Sequence, residues 1–488
     1  MKVEQVILVN QNDEEIGLSP KMKAHEQALL HRAFSVFIFN DKGNLLLQQR
    51  ASDKYHSPRL WTNTVCSHQR HGESNIAAGK RRLMEEMGMK AELKEVFHFI
   101  YKAPLDNGLT EHELDHVMIG FDSKNPIVNP DEVMDFCWES LENIQKDIAE
   151  HSEKYTEWFK IIFANSFDKL QVALEERMLQ NPILFKPIFK EKPWGGHKLK
   201  TILKKEIPSD KTGESWEISY VSDNISVVKG GFFKHQSLQT LIDRFKDKLV
   251  GKKVYDSFKN DFPLLIKYID AADDLSVQVH PDDTMAREKH NSFGKNELWY
   301  VMQSDKDAVL YIGFKKNVDK NLYLQKLADG NLAEILNKIP VNQGDVFYIP
   351  AGTVHAIGKG VLLAEIQQTS DITYRIFDWN RLGLDGKPRI LHTEEALKAI
   401  DFEMQPDKRR EDFINTPYFK IENKVVAKDI ALDFTKQKSF VILMNVGDGD
   451  FEVNHNVFQK GQSMLLPAVL DRVHIKCHQQ GKILIISI

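Results

Sequence analysis

Cys66 and His68, in "TNTVCSHQRHGES" (62–74), stand two residues apart in a strand-like run. Side chains at i and i+2 of a strand project from one face, so the pair can share a surface. Glu111 and Glu113 in "TEHELDHV" have the same spacing, which turns His112 away from them. His25 and His31 precede the run "RAFSVFIFN". Three imidazoles (His25, His31, His68) and two carboxylates make a nitrogen and oxygen donor set for a divalent transition metal. A solvated surface is the competing reading of "EHELDH". The second half of the chain offers a similar set. Gln278 and His280 in "LSVQVHPD" share a strand face, Glu297 stands inside "NELWYVM", and His355 lies in "GDVFYIPAGTVHAI". An acid inside so apolar a run is costly to bury without a cation beside it.

The bulk of the chain narrows what such sites can serve. Its 488 residues suffice for roughly two to four domains. Hydrophobic content of 42%, charged content of 28% and a net charge of −5 are ordinary for soluble globular protein. They argue against a nucleic-acid or anionic-membrane partner and leave small-molecule substrates. Cys66, Cys137 and Cys477 are scattered and odd in number, which speaks for a reducing compartment, the cytoplasm, and against a disulfide framework. The opening "MKVEQVILVNQNDEE" lacks the basic end and apolar core of a signal peptide. No apolar run reaches the ~20 residues needed to span a bilayer.

The elements that must position these residues change in texture along the chain. The first 180 residues alternate strands and helices. Residues 32–40 and 44–50 read as a hairpin, 74–87 as a helix stopped by Gly88, 93–101 and 113–121 as strands, and about 140–179 as helical. "LQNPILFKPIFKEKPWGG" (179–196) has three prolines and two glycines and cannot continue a helix, so a boundary is expected near residue 182. Short strands and glycine turns dominate downstream, with helical inserts near 237–258, 319–337 and 393–401. That pattern predicts β-sandwich or barrel modules. Residues 344–357 and 461–475 share a glycine, five residues and a proline, and Arg472 stands where the first copy has His355. Two related β modules are therefore expected, one able to bind metal at that position. The organisation read from this is a domain over 1–178, a linker over 179–192, a metal-binding β domain over 183–400 and a metal-free module over 401–488.

Ser67, Glu73 and "RRLMEEMGM" (81–89) follow the Nudix box, with Ser67 in place of its first glycine and Arg81-Arg82 in place of Arg-Glu. Glutamates on one face of such a helix hold Mg²⁺, which holds a diphosphate; the plain alternative is a salt-bridged surface helix with Arg82 and Glu86 at i,i+4. With "HRAFSVFIFN", "QQRASDK", "WTNTVCSHQ" and "TEHE" in this order, residues 1 to about 175 resemble type 1 isopentenyl-diphosphate isomerase. The resemblance implies an α/β Nudix-like fold and a 1,3-proton shift between isopentenyl and dimethylallyl diphosphates. It implies a transition metal (Mn²⁺ or Zn²⁺) on His25, His31, His68, Glu111 and Glu113. It also implies Mg²⁺ on Glu86, and phosphate contacts from Lys21, Arg50, Lys54 and Arg82. An alkene is a poor proton acceptor, so an acid on one face and a base on the other are needed in a dry pocket. Cys66 and Glu113 would carry the proton, and Tyr101 and Trp158 would shield the cation; an ordinary core role for Trp158 stands beside that reading. Gln69 replaces the family's proline after the ligand histidine.

Gly344, Pro350, Gly352 and His355 fit the second cupin motif, with Lys359 where asparagine is usual. Together with "PIFKEKPWGG", "GESWEIS" and "EIQQTSDITYRIFDWNR", residues 183 to 488 resemble type I phosphomannose isomerase. That resemblance implies mainly-β cupin (jelly-roll) modules with a helical insert, and interconversion of mannose 6-phosphate and fructose 6-phosphate through a cis-enediol. It implies Zn²⁺ on Gln278, His280, Glu297 and His355. Arg375 would stabilise the enediolate, Lys295 would bind phosphate or move a proton, and Asp371 would orient these groups. The competing readings are a Nudix diphosphohydrolase fused to a cupin sugar-binding or regulatory module, and a scaffold without catalysis. Arg82 and Cys66 speak against the first, and the full donor sets speak against the second. The oligomeric state is left open.

Overall fold

In a computed structural model, which describes residues 4–404, 407–409 and 413–488, the chain divides into two compact units, Met1–Met178 and Leu179–Ile488. Residues 1–3 of the opening run lie outside the described residues; Gln5–Val9 is a strand.

The first unit is built on a mixed sheet, nine-stranded among the described residues. Its centre is His31–Phe39, a run of aromatic and β-branched residues buried at nearly every position. This strand pairs in parallel with Thr110–Phe121, setting His31 beside Glu113, and antiparallel with Val65–Ser67, setting Ser35 beside Cys66. Leu93–Pro104 pairs with the far edge of Thr110–Phe121 and sets Tyr101 opposite Glu113. Three chain-distant segments are thus aligned at one end of one sheet by register alone. The helix Asn75–Met87 starts under the Ser74 side chain, which accepts from Ala77 N, and buries Ala78, Leu83 and Met87 against Phe34, Val36, Ile38 and Leu46. Gly88 ends it at φ +63, where an added Cβ would meet the Ile127 carbonyl oxygen at 2.5 Å. The helical stretch expected over about 140–179 is broken into Leu141–Glu150 and Glu157–Met178. Tyr155 bridges to Trp61 and Thr156 N donates to the Trp61 carbonyl, so the chain is extended there and docks on a sheet edge.

The second unit stacks sheets in two pairs. In the first pair, a sheet centred on Leu264–Ala271, Val361–Gln368 and Glu297–Ser304 faces one that carries Val309–Phe314, His355–Ile357, Val277–Val279 and Tyr374–Phe377. Trp299, Val301, Phe347, Leu363, Leu310 and Ile357 fill the space between them. The second pair spans Phe413–Ser487 around Leu443, Phe451, Phe458, Met464 and Val473. Helices at Leu238–Phe245, Lys252–Phe258, Lys320–Ala328 and Thr393–Ala399 decorate the sheets. The segment expected as a linker, 179–192, is folded into this unit. Leu179 and Phe185 are buried, Ile183 exchanges backbone hydrogen bonds with Leu465, and Ile188–Glu191 is a strand. Its prolines stop the helix, but the chain enters a sheet edge at once. No helix among the described residues is long and apolar enough to cross a membrane.

Candidate functional sites

In the first unit, His25, His31, His68 and Glu113 bring their donor atoms within 4.8 Å of one another. His31 Nε2 lies 3.2 Å from His68 Nε2, and Glu113 Oε1 lies 2.9 Å from His68 and 3.4 Å from His31. His31 Nδ1 donates to the Leu29 carbonyl at 2.8 Å, which leaves an Nε2 lone pair facing the cluster. Both ring nitrogens of His25 are buried without a hydrogen-bond partner. Burial and the neighbouring imidazoles push the His25 pKa down to about 3, and burial pushes His68 down to about 4. Neutral rings aiming lone pairs at one carboxylate oxygen form a set that a divalent cation satisfies and a proton does not.

The two glutamates differ. Burial raises Glu111 well above the usual carboxylate range, helped by the charge of Glu113. Burial also presses on Glu113, but the adjoining His31 and His68 rings outweigh it and hold Glu113 well below that range. Glu111 stands outside the four-donor cluster. It is joined to Glu113 by the Tyr101 hydroxyl, 2.8 Å from Glu111 and 2.6 Å from Glu113. Burial thus disfavours the charge on Glu111 while Glu113 keeps its own, so the two neighbouring carboxyls are pushed in opposite directions, as acid–base chemistry requires. Cys66 lines the same cavity as Glu111, Glu113, Tyr101 and Trp158. Burial pushes its thiol well up, so it is a proton-bearing SH group.

The basic residues also converge there: Lys21, Arg50, Lys54 and Arg82 line the cavity with Glu86. Glu86 accepts from Gln48 at 2.9 Å and from Arg82 Nε at 2.9 Å, and burial raises its pKa. Glu132, absent from the sequence reading, takes both Lys54 and Arg82. Arg50, expected on phosphate, donates from Nε to the Ser57 carbonyl at 3.0 Å and from Nη2 to His56 at 3.2 Å. Its guanidinium lies 5.2 Å from the Trp158 ring centre, so it also braces the loop over the cavity. Trp158 donates to Thr62 Oγ1 at 2.9 Å and meets the His56 ring edge-on. Glu132 and His56 could not be found locally. Glu132 arrives through the pairing of Val133–Glu139 with Leu45–Arg50, and His56 through the brace that Arg50 provides.

In the second unit, His280, Glu297 and His355 form a buried donor cluster. Glu297 Oε1 lies 3.0 Å from His280 Nε2 and 3.3 Å from His355 Nε2. Both rings donate from Nδ1 to backbone carbonyls, His280 to Ile372 and His355 to Thr353, each at 2.9 Å. Two Nε2 lone pairs again face one carboxylate oxygen, which fits a cation. The Gln278 amide lies 3.2 Å from His355 Nε2. Gln278 is paired in register with His355 on one side and Arg375 on the other, so the three form a row across neighbouring strands. Lys295 Nζ lies 2.9 Å from His280 Nε2 and 3.0 Å from Glu297 Oε2. Arg375 Nη1 donates to the Ile390 carbonyl at 2.8 Å, while its Nε is buried without a partner.

Asp371, expected to orient these groups, is exposed and precedes the strand Tyr374–Phe377. The carboxylate that gathers arginines near Arg375 is Asp378, which accepts from Arg381 Nη2 at 2.9 Å and Arg389 Nε at 2.6 Å. Beneath the donors, Lys267 pairs with Glu365 at 2.9 Å, and Trp299 Nε1 donates to Glu365 at 2.9 Å. The Trp299 ring stands edge-on to His355. Sequence reasoning missed Lys267, Glu365 and Asp378, because only the cross-strand register Lys267–Glu365–Trp299 and the fold of the 378–389 loop reveal them.

Comparison with known proteins divides the chain in the same way. Residues 29–159 match the model of the NUDIX domain, and residues 183–307 that of the phosphomannose isomerase type I catalytic domain. The chain is 44% identical over 177 residues to an isopentenyl-diphosphate Delta-isomerase of Pectobacterium atrosepticum, covering 36% of this chain and 99% of that protein. It is 37% identical over 305 residues to a mannose-6-phosphate isomerase of Bacillus subtilis, covering 59% of this chain and 94% of that protein. A solved structure of the mannose 6-phosphate isomerase from Bacillus subtilis superposes with a TM-score of 0.56 at 30% identity, covering 63% of this chain and 99% of that one.

Proposed function

The chain belongs to the isopentenyl-diphosphate Delta-isomerase family over its first unit and to the mannose-6-phosphate isomerase family over its second, and from that premise we propose that it is a bifunctional isomerase. The first unit interconverts isopentenyl and dimethylallyl diphosphates, and the second interconverts mannose 6-phosphate and fructose 6-phosphate. The observation that carries this reading is the presence of two separate imidazole–carboxylate clusters, each beside a group able to carry a proton.

In the first site, His25, His31, His68 and Glu113 would hold Mn²⁺ or Zn²⁺, with Glu111 alongside, and Glu86 would take part in holding Mg²⁺ on the diphosphate. Those cations would supply charge neutralisation of the phosphates and a fixed field on the carboxylates. Lys21, Lys54 and Arg82 bind the diphosphate, and Arg50 holds the loop that closes on it. The alkene π pair takes a proton at the terminal carbon, and loss of a proton from the neighbouring CH₂ restores the double bond one position along. Cys66, neutral in its burial, and the Glu113–Tyr101–Glu111 group are the two proton carriers. Tyr101 and Trp158 keep water from the intermediate cation and offer it aromatic faces.

In the second site, Gln278, His280, Glu297 and His355 would hold Zn²⁺, which would supply polarisation of the sugar oxygens. Arg375 sits in the same row and stabilises the enediolate oxygen. Lys295 binds the substrate or moves its proton. Three unpaired cysteines suit a reducing compartment, and we place the chain in the cytoplasm.

The test is a product assay of the purified chain with isopentenyl diphosphate and with mannose 6-phosphate. Dimethylallyl diphosphate and fructose 6-phosphate are expected. Release of inorganic phosphate or pyrophosphate in place of the allylic product would refute the first half, and an unchanged sugar would refute the second.

A further inference from the structure

A third group of donors lies in the first unit, outside the cavity just described. Glu95, His98 and His116 each bring one ligand atom within 4.8 Å of the others. His98 and His116 are cross-strand partners on Leu93–Pro104 and Thr110–Phe121, with ring centres 5.4 Å apart. Glu95 and His98, three residues apart, would point to opposite faces of a regular strand. The register shifts between Glu95 and Phe97, and that bulge turns Glu95 onto the face of His98 and His116. Bulges that re-aim a side chain recur beside functional sites.

The ring of His116 is backed in the way a ligand histidine is. It is 3% exposed, with Nδ1 2.7 Å from Glu95 Oε1, while Nε2 faces Asp13 Oδ2 at 3.1 Å, an ion-pair distance without hydrogen-bond geometry. Asp13 is fixed by Arg32, whose Nε donates to Oδ1 at 2.7 Å and whose Nη2 donates to the Asp13 carbonyl at 2.7 Å. Glu95 Oε2 accepts from Asn75 Nδ2 at 3.1 Å, which leaves Oε1 for the cluster. A carboxylate on the far nitrogen of a ligand imidazole fixes its tautomer and raises its basicity. Tetrahedral zinc, with bonds of about 2.0–2.1 Å, holds its ligands about 3.3 Å apart, and these three donor atoms lie within 4.8 Å of one another.

We propose that Glu95, His98 and His116 form a third transition-metal site of the zinc class, structural in role, with Asp13 as the positioning residue behind His116. Two nitrogens and one carboxylate oxygen select Zn²⁺ or a neighbouring late divalent ion over Mg²⁺. A metal there clamps the two longest strands of the sheet. Through Asp13 it also ties down the turn between Gln5–Val9 and Glu15–Pro20, the hairpin that leads into the helix bearing Lys21 and His25.

The experiment uses the full chain, stripped with a chelator and titrated with Zn²⁺, with ions counted per chain by elemental analysis and native mass spectrometry. His98 is exposed, so His98→Ala is expected to fold, to retain both isomerisations, and to hold one zinc fewer than wild type. Asp13→Asn is expected to keep the stoichiometry but weaken that ion's affinity by about 10- to 100-fold. Equal zinc counts for wild type and His98→Ala would overturn the proposal, as would an extra ion that binds only at millimolar zinc. Those results would make His116 an imidazolium paired with two carboxylates. The difference count is readable even if neither isomerisation is detected.

Discussion

Replacing Tyr101 with phenylalanine removes one oxygen and tests how the two glutamates of the first site are held apart. The hydroxyl lies 2.8 Å from Glu111 and 2.6 Å from Glu113 and is buried with both. Hydrogen bonds to charged groups contribute about 1.5–3 kcal/mol each. The link to ionised Glu113 is the shorter, and losing it forfeits that amount. The freed space is a single oxygen wide, and burial keeps water from restoring both contacts. A loss of about 3 kcal/mol where proton transfer occurs corresponds to about a 10²-fold fall in kcat. Tyr101→Phe should therefore slow isopentenyl isomerisation about 100-fold at saturating substrate, leave its KM within a few-fold, and leave sugar isomerisation at the wild-type rate. The assay is coupled detection of both products on one preparation. An isopentenyl kcat within threefold of wild type would show that the hydroxyl does not organise the carboxylates, and the assignment of acid and base would fail with it.

Lys267→Met strands Glu365 in the core of the second unit, since the pair is buried on both sides; a loss of about 3–5 kcal/mol is expected in chemical denaturation of that unit. Gly88→Ala forces an L side chain to φ +63 with its Cβ 2.5 Å from the Ile127 carbonyl oxygen. It should cost about 1–3 kcal/mol and lower the Tm of the first unit, as calorimetry would show. Burial works against ionisation of Glu214, yet Lys192 and Lys267 outweigh it and bring its pKa from 4.5 down to about 2. A depressed folded pKa gives stability that is complete above about pH 4.5 and is lost as the pH falls toward 2. Glu214→Gln should therefore be less stable than wild type at pH 7 and show a shallower loss between pH 4.5 and 2; parallel acid-denaturation curves would contradict this.

Period-two spacing was enough to pair Cys66 with His68, Glu111 with Glu113 and Gln278 with His280, because a strand's alternation is local. The helix ending at Gly88 and the proline-rich stop after residue 178 were equally legible, being matters of backbone chemistry. What was hidden depends on register between distant strands. Glu132 reaches Lys54 and Arg82 through a strand pairing, and Glu365 meets Lys267 and Trp299 across two strand boundaries. Asp378 outcompetes Asp371 as the acid near Arg375 because the 378–389 loop folds back on itself. The stretch 179–192 read as a linker because prolines and glycines signal the end of a helix and say nothing of the sheet edge that Ile183 joins. The bulge at Glu95–Phe97 leaves no mark in the alternation of its neighbours.

The central claim is that two donor clusters serve two independent reactions. Its most direct test is the pair of full-length variants Cys66→Ala and His355→Ala, each assayed for both products and for bound zinc. Cys66→Ala should lose dimethylallyl diphosphate formation and keep fructose 6-phosphate formation at full zinc content. His355→Ala should do the reverse, with about one zinc fewer per chain. Parallel loss of both activities in either variant, with the fold intact by circular dichroism, would contradict the account.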